Sequence, residues 1–114
     1  MLTEKDYCDY DTCVALRELG YNAPQRLIPD YFGVFEEPQY DERIHLYDAQ
    51  KWLREEKHLH IEVRWYCNMW YEYEAKEAEG KVIAEGSAFP TYEEALSTAV
   101  YMATEYLKEM EEEK

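Results

Sequence analysis

From Leu59 to Cys67 the apolar and polar side chains alternate. Leu59, Ile61, Val63 and Trp65 fall on one side and His60, Glu62, Arg64 and Tyr66 on the other, the period of two expected of a strand buried on one face. Cys67–Asn68–Met69 predicts a tight connection. From about Trp70 to Ala75 the alternation resumes, with Tyr71, Tyr73 and Ala75 facing one way and Trp70, Glu72 and Glu74 the other. Glu79–Gly80 marks a turn, and Lys81–Glu85 predicts a third strand, so the three form an antiparallel meander. The period then changes. Thr91 and Glu94 form a capping box behind Pro90. Tyr92, Ala95, Leu96, Ala99, Val100, Ala103, Tyr106, Leu107 and Met110 make an apolar stripe at helical spacing. Its small residues Ala95, Ala99 and Ala103 allow close approach to the sheet. Glu111–Glu113 place negative charge at the helix C-terminus, which predicts a frayed acidic tail over 109–114.

The first half reads less evenly. A helix is expected from Asp9 to Leu19, capped by Asp9, with Tyr10, Cys13, Leu16 and Leu19 as its apolar stripe. Gly20 is placed to end it in the left-handed conformation, with Tyr21 folding back on the last turn. A second helix is expected from Leu46 to Lys57. Leu46, Ala49, Trp52 and Leu53 share its inner face, and Lys51, Arg54, Glu55 and Glu56 its outer face. Between them, residues 22–44 contain Pro24, Pro29, Pro38 and Gly33 and predict either an irregular segment or a short β-ribbon. Leu27–Ile28 and Tyr31–Phe35 are its candidate strands, and Tyr31, Phe32, Val34 and Phe35 its anchors. The expected fold class is α+β: a three-stranded antiparallel meander packed against a long C-terminal helix, in α-β-β-β-α order from residue 46, with an extra N-terminal helix. The 114 residues fit a single domain.

Charge and composition narrow the function classes. There are 26 acidic residues against 12 basic ones, a formal net charge of −14. Phosphate neutralisation needs Lys and Arg, so nucleic acid and anionic membrane are not expected partners. The α-β-β-β-α order is shared with double-stranded-RNA-binding domains, but those need a basic cluster at the start of the last helix, where this chain has Glu93 and Glu94. No apolar run approaches the length of a membrane span, and the acidic N-terminus does not resemble a signal peptide. A cytoplasmic protein is expected. Three cysteines, Cys8, Cys13 and Cys67, suit thiols better than a disulfide framework, with Cys13 and Cys67 at positions expected in the core.

Three islands, CVALRELGYN at 13–22, LYDAQKWLREEKHLHIEV at 46–63 and TYEEALSTAV at 91–100, resemble small uncharacterised proteins of phages and prophages of gut anaerobic bacteria. The middle island is the most specific, a helix with the Ala-Gln-Lys-Trp-Leu-Arg-Glu run followed by a His-Ile-Glu-Val strand. The resemblance implies an α+β fold and a mobile-element context. It carries over no activity, cofactor or functional residue. The chain departs from that pattern in a longer, Pro-rich 23–45 segment and in having His45 where Ser or Thr would cap a helix.

Catalytic chemistry finds little footing. His58 and His60, two apart at a strand start, would point the same way, but zinc usually takes three or four such ligands, and neither close Cys pairing nor any further His nearby supplies them. His60-Ile61-Glu62 lacks the companion Cys motif of zinc deaminases. No phosphate-binding glycine loop and no nucleophile elbow occur, and the acidic neighbours of Cys8 disfavour an activated thiolate. The chain is therefore expected to be no enzyme and to need no cofactor or metal. The outer face of the meander is the candidate partner surface: Tyr66 and Trp70 flank the hairpin turn among His60, Glu62, Arg64, Glu72 and Glu74. Aromatic rings among charges suit protein contact. The expected function is a protein-interaction module whose partner is a host or phage protein or a second copy of the chain. The alternative is an acidic mimic of DNA that occupies a host DNA-binding protein, with Glu93, Glu94, Glu105, Glu109 and Glu111–Glu113 standing in for phosphates.

Overall fold

The computed structural model describes residues 6–21, 26–30, 39–66 and 70–112, with side chains at all of these except 26–30, 39–43 and 66. The described elements are α1 (Tyr10–Glu18), β1 (Arg26–Asp30), β2 (Gln39–Arg43), α2 (Leu46–Glu56), β3 (Leu59–Tyr66), β4 (Trp70–Glu77), β5 (Val82–Phe89) and α3 (Tyr92–Glu112). β3, β4 and β5 form one antiparallel sheet in that order. α3 packs across all three strands and against α1 and α2, while α2 lies along β3. The fold is α+β, with the meander, the long closing helix and the extra N-terminal helix in the expected order.

The alternation in β3 and β4 sets which face is buried. Leu59, Ile61, Tyr73 and Ala75 are buried beneath the helices, while His60, Glu62 and Arg64 face solvent. α3 contributes Ala95, Leu96, Ala99, Val100 and Ala103 to the core, all essentially inaccessible. The alanines at four-residue spacing let the helix sit close to the strands, because side chains at i and i+4 stack on one face. The hydroxyl of Tyr106, further along α3, donates to the Glu77 carboxylate on β4. The helix is continuous through Glu112, across residues where the acid run predicts fraying.

Local caps explain the helix boundaries. The Asp9 carboxylate accepts the Thr12 amide at 2.8 Å, and Thr91 Oγ1 accepts the Glu94 amide at 3.1 Å. Gly20, at φ 111°, closes α1: its amide donates to Arg17 O and that of Tyr21 to Leu16 O, each at 3.0 Å, the paired bonds of a Schellman ending. Tyr21 is thereby folded into the core, edge-on to Trp52 at 5.5 Å between ring centroids. His45 caps α2 through an unusual acceptor, its Nδ1 taking the Tyr47 amide at 3.1 Å. In a neutral imidazole that bond leaves the proton on Nε2.

Four expectations are corrected. Tyr10 is not part of the inner stripe of α1; it is 58 % exposed, and the buried face is instead Thr12, Cys13, Ala15 and Leu16. β5 runs past Glu85 to Phe89. Trp65 shares the register of the core residues of β3, yet it is exposed, as argued below. His58 does not begin a strand. It sits one residue beyond the α2 C-cap, Lys57, at φ 58°, and so does not alternate in phase with His60. A β-carbon makes that left-handed conformation costly by about 1–2 kcal/mol. His58→Gly is accordingly expected to raise the unfolding free energy by about 1 kcal/mol, read as a higher urea midpoint with an unchanged slope.

β1 and β2 form a separate antiparallel ribbon, from Arg26 opposite Arg43 to Asp30 opposite Gln39. Pro29 is tolerated because both strands of a two-stranded ribbon are edges. β1 contains the expected Leu27–Ile28 strand. The expected anchors Tyr31, Phe32, Val34 and Phe35, like Cys67–Asn68–Met69, lie outside the described residues.

Candidate protein-contact surface

The outer sheet face is built on the solvent-facing register of β3 and β4. Arg64 stands directly opposite Glu72, and Glu62 opposite Glu74. Two carboxylates facing each other across strands repel. The Arg64 guanidinium lies among them, with Nε 3.3 Å from Glu72, Nη1 3.9 Å from Glu62 and Nη2 3.9 Å from Glu74. Lys76 Nζ meets the Glu74 carboxylate at 2.7 Å. This hydrogen bond, with the nearby positive charges of Lys76 and Arg64, holds the Glu74 carboxyl below the ordinary carboxylate range against a smaller opposing effect of burial. The pairs are solvated, so they add little to stability but fix a patterned surface. His60 is exposed at one end of it and Trp70, at 40 %, at the other. The Tyr66 backbone pairs with Trp70; its side chain is outside the described set.

The sheet edges are managed differently. β3 is an edge strand, but Gln50 on α2 donates its side-chain amide to Ile61 O at 2.9 Å, occupying one of the edge acceptors. On the opposite edge, β5 carries two irregularities. Tyr71 and Tyr73 of β4 face Phe89 and Gly86, so three steps on β5 answer two on β4; Ala75 and Lys76 face Ala84 and Val82, two steps against one. Ala88 lies within the first of these, at φ 69°. Bulges of this kind twist an edge away from further strand pairing.

The hairpin end holds a second aromatic group that the sequence pattern does not separate from the core. Trp65 is 64 % exposed, although it is in phase with Leu59 and Ile61. Burial falls along that side of β3, from Leu59 and Ile61 (buried) through Val63 (half-buried) to Trp65, so the helices cover the start of the strand and not its hairpin end. Trp65 stands one residue from the end of β3, which is a position that alternation alone does not mark as exposed. Opposite Trp65 in the register is Tyr71, and from there a chain of rings crosses to the helices. Tyr71 meets Tyr92 edge-on at 6.0 Å, Tyr92 lies 6.4 Å from Tyr47, Tyr47 stacks on His45 at 5.1 Å, and His45 is edge-on to Tyr7 at 5.2 Å. Tyr47 is 49 % exposed, whereas His45 and Tyr7 are buried.

Two phenols are shifted. Tyr73 is raised above the ordinary tyrosine value by burial and by the Glu85 charge. Tyr92 is raised by burial, then by Tyr47 and Glu93. In both, the folded pKa exceeds the unfolded one, so the stability gained is complete below the free tyrosine pKa of about 10 and is lost as pH climbs above it. Alkaline unfolding should therefore set in above about pH 10, and Tyr73→Phe should flatten the decline in a pH series of urea midpoints.

The other candidate groups have structural employment. Cys8 and Cys13 are both buried; the Cys13 thiol donates to Cys8 O at 3.7 Å and accepts the Ile44 amide at 3.3 Å. Cys67 lies outside the described residues. Among the described residues no group of three or more His, Cys, Asp or Glu could hold a metal ion, and no helix is long and apolar enough to cross a membrane. A shallow, open depression of about 220 Å³ lies between the end of α1 and the last turns of α3, lined by Glu18, Leu19, Lys108, Glu111 and Glu112. Comparison with protein-family models, with curated proteins and with solved structures finds no match.

Proposed function

We propose that the chain is a non-catalytic protein-interaction module acting in the cytoplasm, of the phage or prophage type that its sequence islands resemble, and that the β3–β4 end of the sheet is its contact surface. The observation that carries this reading is the pair of exposed tryptophans there, Trp65 on the helix side and Trp70 on the outer side. Burying a tryptophan stabilises, and the residue is enriched at the centres of interfaces. Two of them exposed at one end of a sheet keep a free-energy gain for association. The blocked and bulged edges favour contact through side chains over addition of a strand. Neither nucleic acid nor membrane belongs to this reading. The outer carboxylates are already engaged by Arg64 and Lys76, which suits a recognition surface better than acid catalysis.

The DNA-mimic alternative is weakened by the distribution of charge on α3. Its acids lie at Glu93 and Glu94 and then from Glu105 onward, with none between. The gap spans about 16 Å of helix axis, several times the phosphate repeat along duplex DNA.

The test compares the wild type with Trp65→Ala and Trp70→Ala in light scattering and in capture from lysate of the phage's host. The expected result is a partner or a self-associated dimer that either substitution weakens at least fivefold, with thermal unfolding little changed. A monodisperse monomer that captures nothing, or capture indifferent to both substitutions, would sink the proposal.

A further inference from the structure

We infer that the ring belt Trp65–Tyr71–Tyr92–Tyr47 is a docking track for a Lys- or Arg-bearing extended segment of a partner protein. This rests on the interaction-module reading and names the chemistry of the partner. Three observations converge. Tyr71, Tyr92 and Tyr47 follow one another at centroid separations of 6.0 and 6.4 Å, and Trp65 stands across the strand register from Tyr71. The series is accessible at both ends, at Trp65 (64 %) and at Tyr47 (49 %). A carboxylate flanks it: Glu93 occupies the first turn of α3 next to Tyr92, and its charge is felt at the Tyr92 hydroxyl.

Aromatic faces attract cations, most strongly guanidinium and ammonium groups, and a neighbouring carboxylate supplies the counter-charge. The motif already occurs within the fold, where Lys57 Nζ lies 5.6 Å from the centre of the Trp52 ring. Arg64 does not fill this role on the belt, because it is engaged with three carboxylates on the outer face. A protein of net charge −14 draws basic partners by long-range attraction, and the belt gives that attraction a place to end. An extended segment suits it, because successive side chains on one side of a strand repeat at about 6.4–6.8 Å, close to the spacing of the rings.

The test titrates the full chain with octa-arginine at about 0.15 M salt, near-physiological ionic strength, following amide and indole NMR shifts and calorimetry. Octa-glutamate and octa-proline serve as controls. Shifts are expected to concentrate at Tyr47, Trp65, Tyr71 and Tyr92. Affinity should fall at least tenfold in the Tyr47→Ala/Trp65→Ala double variant, both positions being exposed enough to leave the fold intact, and about threefold in Glu93→Gln. Glu109→Gln removes the same charge from the far end of α3 and should leave affinity unchanged. Equal losses in Glu93→Gln and Glu109→Gln would mean diffuse attraction and overturn the proposal, as would shifts scattered over the surface, no binding, or preferential binding of octa-proline. A failure here with a Trp65- or Trp70-dependent partner still captured removes only the cationic class; loss of both removes the interaction module itself.

Discussion

Leu53→Ala is expected to lower the unfolding free energy by about 3–5 kcal/mol, the largest effect of any single change considered. Leu53 is wholly inaccessible and belongs to the same core cluster as Leu46, Ala49, Leu59 and Leu96. Its neighbour one turn back is already alanine, so α2 has no adjacent bulk with which to refill the space. The helix is also held at its start by the His45 cap and near its middle by the Gln50 bond to β3. A site that cannot collapse keeps its cavity and bears the full cost. Against the roughly 5–15 kcal/mol typical of a whole domain, this change alone removes a large fraction of the stability. Urea unfolding followed by tryptophan emission measures it. A loss under about 1 kcal/mol, far below the range for buried leucines, would mean that α2 is not docked as described.

Gly86→Ala is expected to cost about 1–3 kcal/mol, for a reason that concerns a ring and not the backbone. A β-carbon at Gly86 would stand 2.7 Å from Tyr73 Cε1, 3.2 Å from its Cζ and 3.3 Å from Phe89 Cε2. The Tyr73 ring cannot swing clear. It is buried beside Phe89, with 5.7 Å between ring centroids, and a tyrosine covering a glycine in the neighbouring strand is the means by which the sheet tolerates that glycine. A double-mutant cycle with Tyr73→Leu should recover at least half of the loss, since the smaller side chain makes room. A neutral Gly86→Ala, or additive effects in the cycle, would show that the ring does not pack over this position.

The same glycine shows where the sequence was legible and where it was not. β3, β4 and α3 are legible because each has a sustained period and, for α3, a cap. The third strand expected from the sequence stops at Glu85, whereas β5 continues through Gly86 to Phe89. What keeps the strand going is Tyr73, thirteen residues earlier and legible only once the strands are paired. The left-handed backbone of His58 has no signature in the sequence, because a residue of this kind usually avoids it. The candidate surface was half legible. Glu62, Arg64, Trp70, Glu72 and Glu74 do share the outer side, as alternation alone requires. The same rule puts Trp65 on the core side, since alternation gives the side of a strand but not how far its cover extends. The ring belt joins residues from four separate segments, and no local pattern could assemble it.

α3 comes after every other element in the chain, yet it packs on all three strands of the meander and on both preceding helices. Its Lys108 reaches Glu18 of α1 at 4.0 Å, across ninety positions of sequence. During synthesis, then, the apolar side of the sheet and the inner face of α1 leave the ribosome well before the helix that covers them, and the nascent chain must hold both open until its last turns emerge.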